Sequence, residues 1–119
     1  MCGITGFTNL TKDISSYKHV LRQMTDAIAK RGPDEKGDYI EEHVCLGHRR
    51  LIVVDPEGGK QPMQATWEGN TYTIVYNGQL YNTTELRQEL IEAGFDFKRS
   101  LWYRSTFKSL YLFWTTSSF

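Results

Sequence analysis

Cys2 follows Met1 directly and opens the stretch MCGITGF. A thiol with an ordinary pKa of about 8.5 is mostly protonated at neutral pH, so a nucleophilic cysteine needs a base or an electropositive setting. If Met1 is removed, the freed α-amine of Cys2, with a pKa of about 7.7 to 8.0, lies within reach of its own sulfur. One residue then supplies nucleophile and base, as is known for an N-terminal threonine. Position alone favours the alternative, a small buried hydrophobic residue at the start of a strand.

Two adjacent arginines, Arg49 and Arg50, stand in the run LGHRRLIVVD just before β-branched residues. An arginine can hold a carboxylate through two parallel hydrogen bonds, which lysine cannot match. The same pair is also typical of a solvated or ion-paired surface. His48 leaves a similar choice open, since a lone histidine is more often structural than catalytic.

Asn77 and Gly78 give the strongest hairpin signal in the chain, because this dipeptide suits a two-residue type I′ turn. The pair also suits catalysis. An asparagine side-chain amide and a glycine N–H can point at one spot and stabilise the oxyanion of a tetrahedral intermediate. Both interpretations stay open at this point.

A metal site is not expected, because Cys45 and the histidines at 19, 43 and 48 lack zinc-ligand spacing. Cys2 and Cys45 do not form the dense cysteine framework of a small secreted domain. We therefore expect no structural disulfide, although a redox protein that uses the two thiols remains an alternative.

The elements around Cys2 can be predicted from local patterns. Residues 3–8 are β-prone and interrupted by glycines, which predicts a strand that another backbone or a ligand approaches closely. From Tyr17 onward, apolar residues recur at steps of three and four, which predicts an amphipathic helix. Ser15 or Ser16 can cap its start, and a Gly-Pro pair ends it near Arg31.

The middle of the chain has the pattern of strands and turns. A strand is predicted before the Asn77–Gly78 turn, and a helix over residues 82–94. Asn82 and Glu85 have capping-box spacing, and Gly94 is the expected stop. Three further β-like runs are predicted at 37–41, 44–48 and 51–55, followed by a loop rich in glycine and proline at 56–63.

Composition limits the possible functions. The 119 residues support one domain, with 14 basic and 14 acidic side chains that cancel. We therefore expect no nucleic-acid partner. No apolar run reaches the roughly 18 residues of a membrane span, and no signal peptide is visible. We expect no membrane association and a cytoplasmic location.

The order of the motifs is more specific than any one of them: MCGITGF, RGPDEKG, LGHRRLIVVDPEGGKQPM and YNGQLYN. In this order they resemble the N-terminal glutaminase domain of glutamine-hydrolysing asparagine synthetase. That domain is a class II glutamine amidotransferase of the N-terminal-nucleophile (Ntn) hydrolase type. The resemblance runs from Met1 to about Lys98. It implies an α+β fold, here an incomplete four-layer αββα sandwich of antiparallel sheets.

The resemblance also implies roles for individual residues. Cys2, freed of Met1, would attack the side-chain amide of glutamine, release ammonia and leave a γ-glutamyl thioester for water to cleave. Arg50 would bind the substrate α-carboxylate. Asn77 and Gly78 would form the oxyanion hole. The remaining substrate-binding positions would be Leu51, Val53 and Gln79, with the loop 59–62 in the pocket wall.

Two departures from the family pattern concern the substrate α-ammonium. The family usually has a glutamate where this chain has Gln79, and the loss of one charged hydrogen bond costs about 1.5 to 3 kcal/mol. The Ser-Asp-Thr-Glu motif expected soon after Phe97 is missing, and Ser100 is followed by Leu101. We expect the activity of this fragment to be impaired.

The last segment, residues 99–119, is an aromatic-rich tail unlike the rest of the chain. Codons for residues 100–114 can be chosen that spell Ser-Gly-Thr-Glu-Val-Leu-Leu-Asn-Leu-Tyr-Ile-Tyr-Phe-Gly in an adjacent frame, which is similar to the family's continuation. The hypothesis is a frameshift near residue 99 that truncates the partial amidotransferase domain at residues 1–98. The synthetase domain is absent from this sequence, and with it the ATP and Mg²⁺ that the full-length family uses, so no cofactor is expected here.

Three functions remain open from sequence. The first is glutamine hydrolysis that supplies ammonia for asparagine synthesis. The second is a non-catalytic remnant or glutamine-binding module. The third is the redox protein already mentioned. The expected partners are L-glutamine and either a separate synthetase domain or a second copy of the chain.

Overall fold

A computed structural model describes residues 1–53, 59–67, 69–78 and 81–94. The chain divides into two compact units, Met1–Asn77 and Gly78–Phe119. The described elements, in chain order, are β1 (Gly3–Thr8), α1 (Lys18–Ala27), β2 (Glu35–Ile40), β3 (Val44–Arg50), β4 (Met63–Trp67), β5 (Asn70–Ile74) and α2 (Thr83–Glu92), with short 3₁₀ helices at Ser15–Tyr17 and Ala29–Arg31.

The larger sheet is antiparallel, with β3 between β1 and β2. On β3, Gly47 lies opposite Thr5 of β1, and His48 lies opposite Gly37 of β2. Side chains of a strand alternate between the two faces of a sheet. Gly47 faces α1, and His48 and Arg50 therefore point to the opposite face.

Helix α1 packs on the first face through Leu21 and Thr25, which are 0% and 1% exposed. Gly47 makes this close approach possible, because a Cβ atom there would lie 2.3 Å from Thr25 Oγ1. The core beneath the helix is formed by Ile14, Leu21 and Cys45, with Phe7 and Ile40 packed against them.

Charged residues hold the edge of α1 to the sheet. Asp26 accepts hydrogen bonds from Lys36 Nζ at 2.7 Å and from Arg49 Nη2 at 3.2 Å. The hydrogen bond from Lys36 is the main cause that lowers the pKa of the Asp26 carboxyl. Helix α1 is therefore fixed to both β2 and β3.

The smaller sheet is the antiparallel hairpin of β4 and β5, with Met63 opposite Ile74 and Trp67 opposite Asn70. Gly69 lies in the connection with a φ of 79°, a backbone conformation that favours glycine. The turn of this hairpin is at Gly69. The turn predicted at Asn77–Gly78 involves Gln79, which lies outside the described residues, so it stays a prediction.

The strands predicted at residues 3–8 and before Asn77 are confirmed as β1 and β5, whereas the strand predicted at 51–55 is wrong over its described residues. Leu51–Val53 has no regular structure, and residues 54 and 55 lie outside the described part. Strand β4 was assigned to no element in the sequence analysis, although Met63, Ala65 and Trp67 alternate with polar residues. The predicted runs at 37–41 and 44–48 are confirmed as parts of β2 and β3, each displaced by up to two residues.

The helix predictions are confirmed in type and corrected at their ends. The predicted first helix is α1 flanked by the two short 3₁₀ helices. Neither Ser15 nor Asn82 caps a helix through its side chain, and the Ser15 hydroxyl donates to Asp13 Oδ1 at 2.6 Å. Gly94, with a φ of 89°, lies just past α2 as expected.

The fold class is therefore α+β with antiparallel sheets. In the described part of the chain, no helix is long and apolar enough to cross a membrane. The predicted tail, residues 99–119, lies outside the described residues.

Candidate active site

Cys2 lies immediately before β1, half-buried, with its sulfur against the backbone of Leu51. The Leu51 N–H donates to Cys2 Sγ across 3.4 Å, and the thiol faces the Leu51 carbonyl oxygen at 3.8 Å. Arg31 Nε donates to the Cys2 carbonyl oxygen at 3.2 Å.

Arg50 ends β3 with a side chain that is only 2% exposed. Its Nη1 donates to Glu35 Oε2 at 2.8 Å, and Glu35 lies directly opposite on β2. Gly3 pairs with Arg49, so the antiparallel register places Cys2 level with Arg50. The nucleophile candidate and the carboxylate-binding candidate thus occupy the same end of β1 and β3.

A cavity of about 260 Å³ opens beside Arg50. Its lining residues include the basic Arg50 and Lys60 and the acidic Glu35. Such a lining suits a small polar molecule that carries a carboxylate. The lining residues are Glu35, Lys36, Gly37, His48, Arg50, Lys60 and Gln61.

Asn77 is exposed at the end of the first unit, three residues after β5. The residue before it, Tyr76, is tied to the rest of the unit through its backbone. His48 Nε2 donates to the Tyr76 carbonyl oxygen at 3.2 Å, and Gln61 Nε2 donates to the same oxygen at 3.0 Å. Gly78 is exposed and opens the second unit.

The remaining predicted substrate-binding positions have different surroundings. Val53 is 73% exposed, while Leu51 is half-buried. The loop 59–62 contributes Lys60 and Gln61 to the cavity. Gln79 lies outside the described residues. In the described part of the chain, no group of three or more acidic, histidine or cysteine side chains could hold a metal ion.

The family model described as a glutamine amidotransferase domain matches residues 1–101 of the 119. The chain belongs to the glutamine amidotransferase family. The resemblance found from the motifs is confirmed, and the relatives below identify the domain as the glutaminase domain of asparagine synthetase.

Among the curated relatives, the asparagine synthetase [glutamine-hydrolyzing] 3 of Bacillus subtilis is 52% identical over 100 residues, covering 84% of this chain and 16% of that protein. The asparagine synthetase 1 of the same organism is 40% identical over 99 residues, or 82% and 15% of the two chains. A probable asparagine synthetase of Dictyostelium discoideum is 33% identical over 94 residues, or 79% and 16%. The chain thus spans about a sixth of the length of the relatives that it matches.

Sequence analysis missed two residues of this amidotransferase domain, Glu35 and Gln61, as hydrogen-bonding partners. Glu35 pairs with Arg50 only because of the register between β2 and β3. Gln61 was included in a loop, with no partner assigned. No local pattern predicts either contact, because the partners are 15 residues apart in both cases.

Burial disfavours the charged forms of His48 and Cys45. Burial lowers the pKa of His48, which is 1% exposed. Its Nε2 must carry the hydrogen, since its partner is a carbonyl oxygen. Burial likewise raises the pKa of the Cys45 thiol. His48 thus fits a structural role better than that of a general base.

The geometry also bears on the redox alternative. Both cysteines are free thiols, and Cys45 is paired in register with Phe7. Phe7 is five positions along the strand from Cys2, a separation of about 16 Å at the usual rise. A disulfide requires the Cα atoms to lie within about 7 Å of each other. Cys2 and Cys45 cannot pair in this fold.

Proposed function

We propose that this chain is a glutamine-hydrolysing domain with Cys2 as its nucleophile. The observation that carries the proposal is the position of Cys2 Sγ, 3.4 Å from the Leu51 N–H and level with the buried Arg50. Sulfur attacks the side-chain carbonyl carbon of glutamine and the C–N bond then breaks. Ammonia leaves with a proton from the base, and water cleaves the γ-glutamyl thioester to glutamate.

The base in this proposal is the α-amine of Cys2, which exists only once Met1 has been removed. Met1 is 79% exposed, so the bond that must be cut is at the surface. The amine takes the thiol proton and returns it to the departing nitrogen. No second residue is then needed for proton transfer, in agreement with the neutral His48.

Arg50 binds the substrate α-carboxylate in this proposal, and Glu35 fixes the orientation of the guanidinium. One edge of the guanidinium faces Glu35 Oε2 at 2.8 Å. Asn77 and Gly78 supply the oxyanion hole, while Leu51, Val53 and Gln79 complete the substrate contacts.

The finer architecture and the tail are also proposals. Residues 1–98 form an incomplete four-layer αββα sandwich, and 99–119 are a frameshifted tail. The relatives are named as asparagine synthetases, which supports delivery of the ammonia to a synthetase domain. The nucleotide sequence tests the frameshift, since codons for 100–114 that do not encode the family-like continuation in an adjacent frame exclude it.

One observation favours a second candidate, a glutamine-binding module without catalysis. Arg50 already has a carboxylate partner in Glu35. Together with Gln79 in place of the family's glutamate, this lowers the charge available for orienting glutamine. Such a module binds glutamine reversibly and releases no ammonia.

A chloroketone analogue of glutamine separates the two candidates. Hydrolysis predicts one covalent adduct on Cys2, protection by glutamine, and ammonia release that is lost in Cys2→Ala. Cys45→Ala is the matched control, since it also removes one thiol and should still be labelled. Reversible glutamine binding without an adduct or ammonia would favour the binding module, and labelling of Cys2→Ala would exclude Cys2 as the nucleophile.

A further inference from the structure

The backbone of Tyr76 is held by the side chains of two buried residues far away in sequence. Gln61 makes two hydrogen bonds to it: Nε2 donates to the Tyr76 oxygen at 3.0 Å, and Oε1 accepts from the Tyr76 nitrogen. His48 Nε2 donates to the same oxygen at 3.2 Å. Gln61 is 8% exposed and His48 is 1% exposed. We call this arrangement of His48, Gln61 and Tyr76 the Tyr76 clamp.

The clamp acts on Asn77 through the planarity of the peptide bond. The Tyr76 oxygen and the Asn77 nitrogen belong to one rigid peptide unit. Two donors fix the direction of the oxygen, and they thereby fix the plane in which the Asn77 N–H and Cα lie. The base of the Asn77 side chain is therefore held, although that side chain is exposed.

The clamp is itself anchored in the larger sheet. Gly37 lies opposite His48, and a Cβ atom at Gly37 would overlap the Gln61 carbonyl oxygen at 1.8 Å. The absence of a side chain at Gly37 lets the Gln61 backbone lie against β2. His48 is in β3, and Leu51, which contacts the Cys2 sulfur, follows that strand directly. One strand thus positions both the sulfur and the peptide before Asn77.

We propose that His48 and Gln61 are positioning residues for the oxyanion hole, acting through Tyr76 on Asn77. The inference rests on the proposed function, because it assigns Asn77 a role in amide hydrolysis. An oxyanion donor is useful only if it is already aimed at the position where charge develops. The clamp supplies that aim with two neutral side chains and leaves Asn77 free to face the substrate.

The test replaces Gln61 by methionine, which has nearly the same length but none of the polar atoms. Gln64→Met is the matched control, since Gln64 is an exposed residue of β4 whose amide bonds to Thr73 and not to Tyr76. We expect Gln61→Met to speed amide hydrogen exchange at Tyr76 by about tenfold and to shift the Asn77 amide resonance. The kcat for ammonia release should fall by about tenfold to a hundredfold with KM nearly unchanged.

A histidine variant supplies a rescue that a purely structural role would not produce. His48→Gln keeps a donor at the distance of the imidazole Nε2, whereas His48→Ala removes it. We expect kcat to be largely retained in His48→Gln and lost by about tenfold or more in His48→Ala.

The possible failures are distinguishable. Unchanged exchange at Tyr76 in Gln61→Met overturns the clamp, and faster exchange with unchanged kcat overturns its positioning role. An equal loss of kcat in Gln64→Met also overturns the positioning role, because both substitutions then act by general destabilisation of the fold. If the unaltered chain releases no ammonia, the proposed function fails and the assignment to the oxyanion hole fails with it. A shift of the Asn77 resonance in Gln61→Met but not in Gln64→Met still supports the hold of the clamp on Asn77, and no shift overturns that hold as well.

Discussion

The backbone nitrogen of Leu51 lies 3.4 Å from the sulfur of Cys2. Leu51 follows β3, and Cys2 precedes β1, so the contact joins the ends of two paired strands. The position of the sulfur therefore depends on the geometry of the sheet. This contact and its surroundings lead to four predictions in addition to the tests above.

The first prediction concerns Met1. A preparation that retains Met1 should release ammonia about 10² to 10⁴ times more slowly than one that begins at Cys2, because the amine that acts as base is then part of a peptide bond. Intact mass spectrometry and an ammonia assay on the same samples measure this. Iodoacetamide should alkylate Cys2 in both preparations as a control, and equal ammonia release from both would contradict the role of the amine.

The second prediction concerns Arg50. Arg50→Lys should raise the KM for glutamine by about tenfold to a hundredfold, since lysine cannot make two parallel hydrogen bonds and one charged hydrogen bond is worth about 1.5 to 3 kcal/mol. Arg49→Lys is the matched control. The Arg49 guanidinium donates hydrogen bonds to Asp26 and to the Thr25 carbonyl oxygen on the other face of the sheet. Arg49→Lys should therefore leave the KM for glutamine unchanged. Steady-state kinetics decide, and equal KM values in the two variants would refute the assignment.

The third prediction is a dependence of stability on pH. Burial lowers the pKa of His48 in the folded chain. The unfolded chain therefore binds a proton at higher pH than the folded chain does, and this contribution destabilises the fold as pH falls below about 6.5. His48→Gln should flatten the fall in thermal midpoint between pH 8 and pH 5. His19→Gln, at an exposed position, should leave the slope as it is, and a steep slope in both variants would contradict the prediction.

The fourth prediction concerns the packing of α1. Gly47→Ala should destabilise the fold by about 1 to 3 kcal/mol, because the new Cβ lies 2.3 Å from Thr25 Oγ1 and 2.6 Å from Thr5 Oγ1. Adding Thr25→Ala should recover part of the loss. A double-mutant cycle of denaturant unfolding measures the coupling. If the effects of Gly47→Ala and Thr25→Ala on the free energy of unfolding simply add, the new Cβ atom does not clash with the Thr25 side chain.

Local patterns were sufficient for the elements with a clear period or a strong stop signal. The glycine-interrupted run after Cys2 is β1, the apolar spacing after Tyr17 gives α1, and Gly94 follows α2. These features depend on neighbouring residues, which sequence shows directly. The family and the order of its motifs were also recognisable from sequence.

Contacts that depend on register could not be predicted. The pairing of Arg50 with Glu35 exists because one particular alignment of β2 and β3 brings them opposite each other. The hairpin at Gly69 was not predicted, because the pairing of β4 with β5 depends on their register. The hydrogen bonds between Gln61 and Tyr76 join two segments of the chain, and no sequence pattern in either segment indicates that they lie next to each other.

The burial of Cys45 has a practical consequence. Its side chain is 0% exposed, and burial raises the pKa of its thiol, so water-soluble maleimides should leave it unmodified in the native chain. Cys2 is then a natural attachment point for a fluorescent or spin label, without any engineered cysteine. A probe attached there would report directly, through its emission or its line shape, on small molecules that arrive at this end of the sheet.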